Sequence, residues 1–215
     1  DVDGSILETP GEPARNRIKD RLCHGAYPTH EFAGLVFAYM GPPEELPEFP
    51  TFDSWIYPDD NQLVPYKIFN PCNWLQSHEN GADPIHTCFL HARGNELQFS
   101  EQYLALPTIA FFETPIGLLS VATRRWDEFL WIRASDVILP NVAQFGLAEV
   151  ASEEKFALCA WLTRWIVPID DTSAYAIGLR HFNSVIDPRG TGDTASIGLG
   201  TVDFPGQTAA LNHEE

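Results

Sequence analysis

The stretch Asn70-Pro-Cys-Asn-Trp-Leu-Gln-Ser-His-Glu-Asn-Gly-Ala-Asp-Pro-Ile-His-Thr-Cys-Phe-Leu-His91 decides how this chain is read. It concentrates His78, His86 and His91, Cys72 and Cys88, and the carboxylates Glu79 and Asp83. Its centre is Asp83-x-x-His86-x-x-x-x-His91. Two neutral imidazoles and one carboxylate on one side of an ion form the facial triad of non-haem Fe(II) sites, which leaves positions open for O2 and substrate. Five residues of ideal α-helix would hold His86 and His91 roughly 140° apart. They can share an ion only if the helix bends or ends near them. Gly81 and Pro84, just upstream, are where such a distortion is expected. Asp83, three residues before His86, is about 60° away around a helix. The spacing leaves it as a third ligand, a carboxylate behind the ligands, or a helix-capping surface residue.

With Glu79-Asn80 and Asn73-Trp74-x-Gln76 in front of it, this stretch resembles the mononuclear-iron motif of Rieske-type aromatic ring-hydroxylating oxygenases. The resemblance is to the large (alpha) subunit, in the branch of phthalate and phenoxybenzoate dioxygenases. It implies that His86 and His91 ligate Fe(II). It implies that Asp83 bridges a ligating histidine to a cluster-ligating histidine of the neighbouring subunit in a homotrimer. The third ligand would be an Asp on a late helix, expected just beyond Glu215. The late carboxylates Asp203, Glu214 and Glu215 stand in no recognisable pattern. Glu79, one turn before Asp83 on the same helical face, would tune proton delivery or orient the ligands, or serve only in a structural hydrogen bond. Asn80 and Gln76 carry a weaker claim.

The same resemblance extends to the first 50 residues. Asp1-x-Asp3-Gly4-x-x-Leu7 and Gly34-Leu35-Val36-Phe37-x-Tyr39-x-Gly41 are similar to the last third of a Rieske domain. A 2Fe–2S cluster is thereby implied, but its Cys-x-His and Cys-x-x-His ligand pairs are absent from this chain. Cys23-His24 lacks that spacing and is read as structural. The chain opens on Asp1 in a turn, as expected of a piece of a longer protein. The implied activity is that of the terminal oxygenase component of a multicomponent system. It would use O2, a small aromatic substrate and NAD(P)H-derived electrons from a reductase, a ferredoxin or both, to hydroxylate or oxidatively demethylate. Two other readings stay open. Two His and a carboxylate also suit a zinc hydrolase, although His-Glu-x-x-His is absent. A sheet gripping a helix could also be a metal-free ligand-binding module.

Composition removes other classes. Thirteen Lys and Arg against 30 Asp and Glu give a net charge of −17, which argues against nucleic-acid binding through phosphates and against docking on anionic lipid. No apolar run is long enough to span a bilayer. Cys23, Cys72, Cys88 and Cys159 are scattered without Cys-x-x-Cys, so reduced thiols and a cytoplasmic setting are the default. Cys88, between the two histidines, is read as a small core residue.

The expected fold class is α+β. A curved antiparallel sheet with packed helices, a helix-grip-like catalytic domain at 51–215, follows the C-terminal part of an all-β Rieske domain at 1–50. Pro42, Pro43, Pro47, Pro50 and Pro58 mark the connection. In the first part, 5–8 and 35–40 read as strands. In the second, Pro71 is placed to start a helix over 73–79. Strands are then expected at 63–70, 97–105, 109–113, 118–125, 129–134, 137–143, 156–167 and 174–181, with turns at 126–128 and 140–141. Residues 168–172 read as a structural turn and 187–193 as a loop. His181 ends a strand beside Arg180, which either meets a substrate carboxylate or lies at the surface. His78 and His213 are expected to face solvent, and His30 carries no motif.

Overall fold

The computed structural model describes residues 1–57, 59–93, 101–146 and 160–183. The chain divides into two compact units, Asp1–Pro50 and Thr51–Glu215. Part of the loop after His91, Cys159, the 187–193 loop, Asp203, His213, Glu214 and Glu215 lie outside the described residues. No helix among the described residues is long and apolar enough to cross a membrane.

In the first unit, β1 (Thr29–Phe32) and β2 (Leu35–Ala38) form an antiparallel hairpin. Its two-residue turn, Ala33-Gly34, has positive φ at both positions, the geometry that matches strand twist. The expected strand at 5–8 shrinks to one bridge between Ser5 and Cys23. Half-buried aromatic rings cluster beside the hairpin. Phe49 stacks on His30 at 4.1 Å and meets Phe37 edge-on at 5.0 Å, which gives His30 a packing role.

The second unit is built on a seven-stranded sheet that is antiparallel throughout. Its strands are β3 (Gln62–Asn70), β4 (Thr108–Thr114), β5 (Gly117–Trp126), β6 (Phe129–Ile138), β7 (Val142–Gly146), β8 (Ala160–Pro168) and β9 (Ala174–Phe182). The spatial order is β3-β9-β8-β7-β6-β5-β4. Six strands therefore run as a meander, and β3 returns to pair with the last of them. Helices pack on both faces: α1 (Asp53–Ile56) on one, and α2 (Trp74–Asn80) followed by a π-helix (Thr87–Ala92) on the other. The expected mixed architecture with a large antiparallel sheet is present.

Several expected elements differ in detail. The described part of 97–105 holds a 3-10 turn, Glu101–Leu104, rather than a strand. Tyr103 is buried there edge-on to Trp131 at 4.8 Å, and side chains instead of a ladder satisfy the Leu104 carbonyl. The expected break between 134 and 137 is absent. Ser135 and Asp136 are paired on both sides within β6, and the chain reverses at Pro140-Asn141, dividing 137–143. Pro71 lies in a bend before α2. The helix starts at Trp74 with Asn73 as its cap.

Alternation along strands assigns the two sheet faces. One carries Gln144, Thr163 and His181 and receives α1. Trp55 Nε1 donates to Thr163 Oγ1 at 3.0 Å, and Gln144 Nε2 donates to Ser54 Oγ at 2.9 Å and Thr163 Oγ1 at 3.1 Å. The opposite face carries Ser120, Arg124, Arg133, Phe145, Arg164 and Arg180 and receives the histidine-bearing segment. Gly178 leaves space for the Tyr66 ring to cross β9, since a Cβ there would lie 2.6 Å from that ring. Tyr66 thereby reaches β8 and accepts a hydrogen bond from Arg164 Nε at 3.0 Å.

Candidate metal centre

The segment between β3 and the 3-10 turn places the histidines. Asn73 caps α2 by accepting from the Leu75 N–H at 2.9 Å, while its Nδ2 donates to the Asp171 carbonyl at 2.9 Å. This ties α2 to the 168–172 turn. That turn is built on Asp170, whose carboxylate accepts from Thr172 and Ser173; those hydrogen bonds hold its pKa down. The helix ends at Asn80, and residues 81–85 break it. Gly81 permits the close approach of Phe145, which a Cβ would meet at 3.2 Å. Pro84 has no N–H with which to continue the helix.

After the break, the chain re-enters as the π-helix Thr87–Ala92. With an i→i+5 repeat, each residue turns by roughly 80°, so positions five apart lie about 40° apart. The wider turn removes the 140° separation that an α-helix would impose on His86 and His91. Their ring centroids are 5.2 Å apart with an interplanar angle of 69°. Both are half-buried. His86 Nδ1 is buried without a hydrogen-bond partner and lies 3.6 Å from Asp83 Oδ2. Burial lowers the His86 pKa first, and His91 and Arg133 lower it further against the opposing pull of Asp83. The ring is therefore held as the neutral imidazole that a metal requires.

The other expected site residues distribute unevenly. Asp83 is at the break, 48% exposed at its side chain, with Oδ1 accepting from the Ile85 N–H at 2.8 Å. Glu79 is exposed on α2 and is not brought to the two rings; its charge registers instead on His78. Gln76 and Asn80 are also exposed. His78 does not face solvent as expected: it is 5% exposed and neither ring nitrogen has a partner. One turn after Trp74, it occupies the inward face of α2, with the two rings 6.1 Å apart. Its burial lowers its pKa. Cys88 is fully buried, its Sγ donating to the Leu104 carbonyl at 3.4 Å. Arg180 is not at the surface either. It is 3% exposed, with its guanidinium 5.1 Å from the Trp161 ring.

The residues that sequence reasoning passed over are three further arginines on this face. Arg124 lies 5.1 Å from the Tyr103 ring and 5.2 Å from that of Trp131. Arg133 and Arg164 flank Phe145 at 6.0 Å and 5.6 Å. Their alternation with Ser120, Ala122 and Phe145 was the available clue, since it assigns them to the helix-covered face.

The two imidazoles on one side of the turn, with His86 Nδ1 turned toward Asp83 and its Nε2 left over, fit a metal ion. A third ligand does not appear with them: among the described residues no group of three or more His, Cys, Asp and Glu could hold a metal. The 2Fe–2S cluster does not fit this chain. Cys23 is exposed, its thiol directed at the Asp3 and His24 carbonyls.

No protein-family model matches the chain. It is 40% identical, over 100% of its length, to the tert-butanol monooxygenase / tert-amyl alcohol desaturase oxygenase subunit of Aquincola tertiaricarbonis. It is 30% identical over 79% of its length to phenoxybenzoate dioxygenase subunit alpha of Ectopseudomonas oleovorans. It is 38% identical over 83% of its length to the 5,5'-dehydrodivanillate O-demethylase oxygenase subunit of Sphingobium sp. (strain NBRC 103272 / SYK-6). It covers 48%, 44% and 40% of those proteins, so the chain spans about half the length of the curated relatives it matches. Among solved structures, dicamba monooxygenase bound to 3,6-dichlorosalicylic acid superposes with a TM-score of 0.64 at 14% identity, over 99% of this chain and 64% of that one. That superposition shows a shared fold. With the histidine motif and the helix-on-sheet geometry, these likenesses mean that the chain belongs to the Rieske-type oxygenases, among their oxygenase (alpha) subunits.

Proposed function

We propose that this chain is the mononuclear-iron catalytic portion of the terminal oxygenase of a multicomponent Rieske non-haem iron oxygenase. The observation that carries the reading is the π-helical turn that brings His86 and His91 to one side at 5.2 Å. We assign both as ligands. His86 turns Nδ1 toward Asp83, which leaves Nε2 for the metal. Iron(II) held there, completed by a carboxylate from outside the described residues, supplies reductive activation of O2. The chain itself holds the His86 ring neutral and keeps one flank dry with Thr87, Cys88 and Ala92. Asp83 presents a carboxylate both to His86 and to solvent, as a bridge to a neighbouring subunit in a trimer would need. Glu79, on the solvent side of α2, is assigned to proton exchange rather than contact with reacting atoms. Residues 1–50 are read as the end of a Rieske domain whose cluster ligands lie outside this chain. Electrons reach that cluster from a reductase, a ferredoxin or both, in the cytoplasm.

The substrate class proposed is a small aromatic compound, hydroxylated or demethylated, in line with the phenoxybenzoate and dehydrodivanillate relatives. The 40% identity to a tert-butanol monooxygenase subunit favours a second reading, in which a small tertiary alcohol occupies the same site.

The test is iron and acid-labile sulfide per chain on the intact protein, prepared anaerobically. About three irons with about two sulfides are expected, one cluster plus one mononuclear ion. Zinc surviving chelation would return the hydrolase reading. Tight binding of an apolar ligand by metal-free protein would return the binding module.

A further inference from the structure

We propose that Arg124 is the positioning residue for the first metal ligand. This rests on the metal centre proposed above and names what sets its geometry. Arg124, on β5, is 1% exposed, yet no carboxylate among the described residues pairs with it. A buried cation without a counter-ion is costly, so its surroundings must compensate. Its Nε donates to the Ala105 carbonyl at 3.1 Å, and its Nη2 donates to the Pro84 carbonyl at 3.0 Å and to Thr87 Oγ1 at 2.9 Å. The faces of Tyr103 and Trp131 take the place of a counter-ion. Nη1 is left without a partner.

Pro84 and Thr87 bracket His86. In a continuing α-helix the Pro84 carbonyl would accept from the Cys88 N–H. Here that N–H donates to Ile85 at 3.0 Å. The Pro84 carbonyl is taken instead by the Thr87 hydroxyl at 2.5 Å and by Arg124. Side-chain donors thus satisfy the carbonyl that the change of helical pitch exposes. Four residues earlier, on the same face of β5, Ser120 Oγ donates to the Ala82 carbonyl at 3.4 Å. Residues 82–87 are therefore pinned to one rigid strand on both sides of His86. A lysine could keep the charge, but it lacks the planar fork that reaches acceptors on two segments at once.

The experiment compares native intact subunit with Arg124→Lys and Thr87→Val. Three quantities are read: anaerobic Fe(II) affinity, the ligand-field bands of the Co(II)-substituted site, and unfolding of the metal-free protein. Both variants are expected to bind Fe(II) about tenfold or more weakly and to shift the Co(II) bands. Thr87→Val carries the comparison if Arg124→Lys does not fold. Variants that melt earlier but bind metal with native affinity and native bands would reduce Arg124 to a folding residue and overturn the proposal. Native protein that takes up neither metal would overturn the metal centre itself, and this inference with it.

Discussion

His86 and His91 lie on one side of a single π-helical turn, their ring centroids 5.2 Å apart, although they stand five positions apart in sequence. The pitch of that turn, rather than the identity of the two residues alone, makes them a pair. Inserting one alanine between Phe89 and Leu90 tests this directly. Both neighbours are more than half-exposed or at half exposure, 50% and 63%, so the insertion is made on the solvent side. A six-residue spacing lies about 120° apart on either an α- or a π-helix. Mononuclear metal is expected to be lost from a folded protein that retains both histidines. Metal content at the native level would show that the pitch is immaterial.

Asp83→Asn is expected to keep the site and impair its electron supply. The amide oxygen can still accept from the Ile85 N–H, as Asp83 Oδ1 does at 2.8 Å, so the turn survives. What is lost is the negative charge beside His86. Mononuclear iron should stay bound, while single-turnover oxidation of the reduced cluster slows by about tenfold or more. Unchanged turnover would remove the bridging role.

His181 predicts a pH dependence of stability. It is fully buried, and desolvation lowers its pKa to about 4 from 6.5. Trp55 Nε1 and Gln144 Nε2 both donate to Thr163 Oγ1, so the Thr163 hydroxyl hydrogen is left for His181 Nε2 at 3.0 Å. That nitrogen must be unprotonated. Below pH 6.5 the unfolded chain takes up a proton that the folded chain refuses, so stability falls as pH drops and levels off near 4. The loss attributable to this residue is up to about 3 kcal/mol. The lowered pKa values of His78 and His86 act in the same direction. Denaturant unfolding of His181→Gln across this range should give a shallower slope than native protein. An equal slope would mean that His181 titrates normally.

Much of this fold was legible because its strands alternate and its turns carry the residues that turns require. The edges of β3, β4, β5 and β9 fall within two residues of those expected. Local pattern failed where packing decided. The Gln102-Tyr103-Leu104 stretch has strand-like letters, but burying Tyr103 against Trp131 curls it into a turn. Ser135-Asp136 has turn-like letters, but partners on both sides keep it extended. The histidine pair was legible as residues and not as geometry. Its spacing demanded a distortion, yet no propensity encodes an i→i+5 turn. His78 was misread because its polarity was weighed above its place one turn after Trp74. Arg124 sits next to Arg125, and only the sheet faces tell the buried guanidinium from its neighbour.

On the proposed ligand set, His86 and His91 hold one iron between them. The measurement that bears on it most directly is the mononuclear iron content of His86→Ala and His91→Ala in the intact, anaerobically prepared protein, with cluster content read in the same samples. Each substitution is expected to remove the mononuclear iron and leave the cluster untouched. Mononuclear iron retained at native stoichiometry in either variant would contradict it.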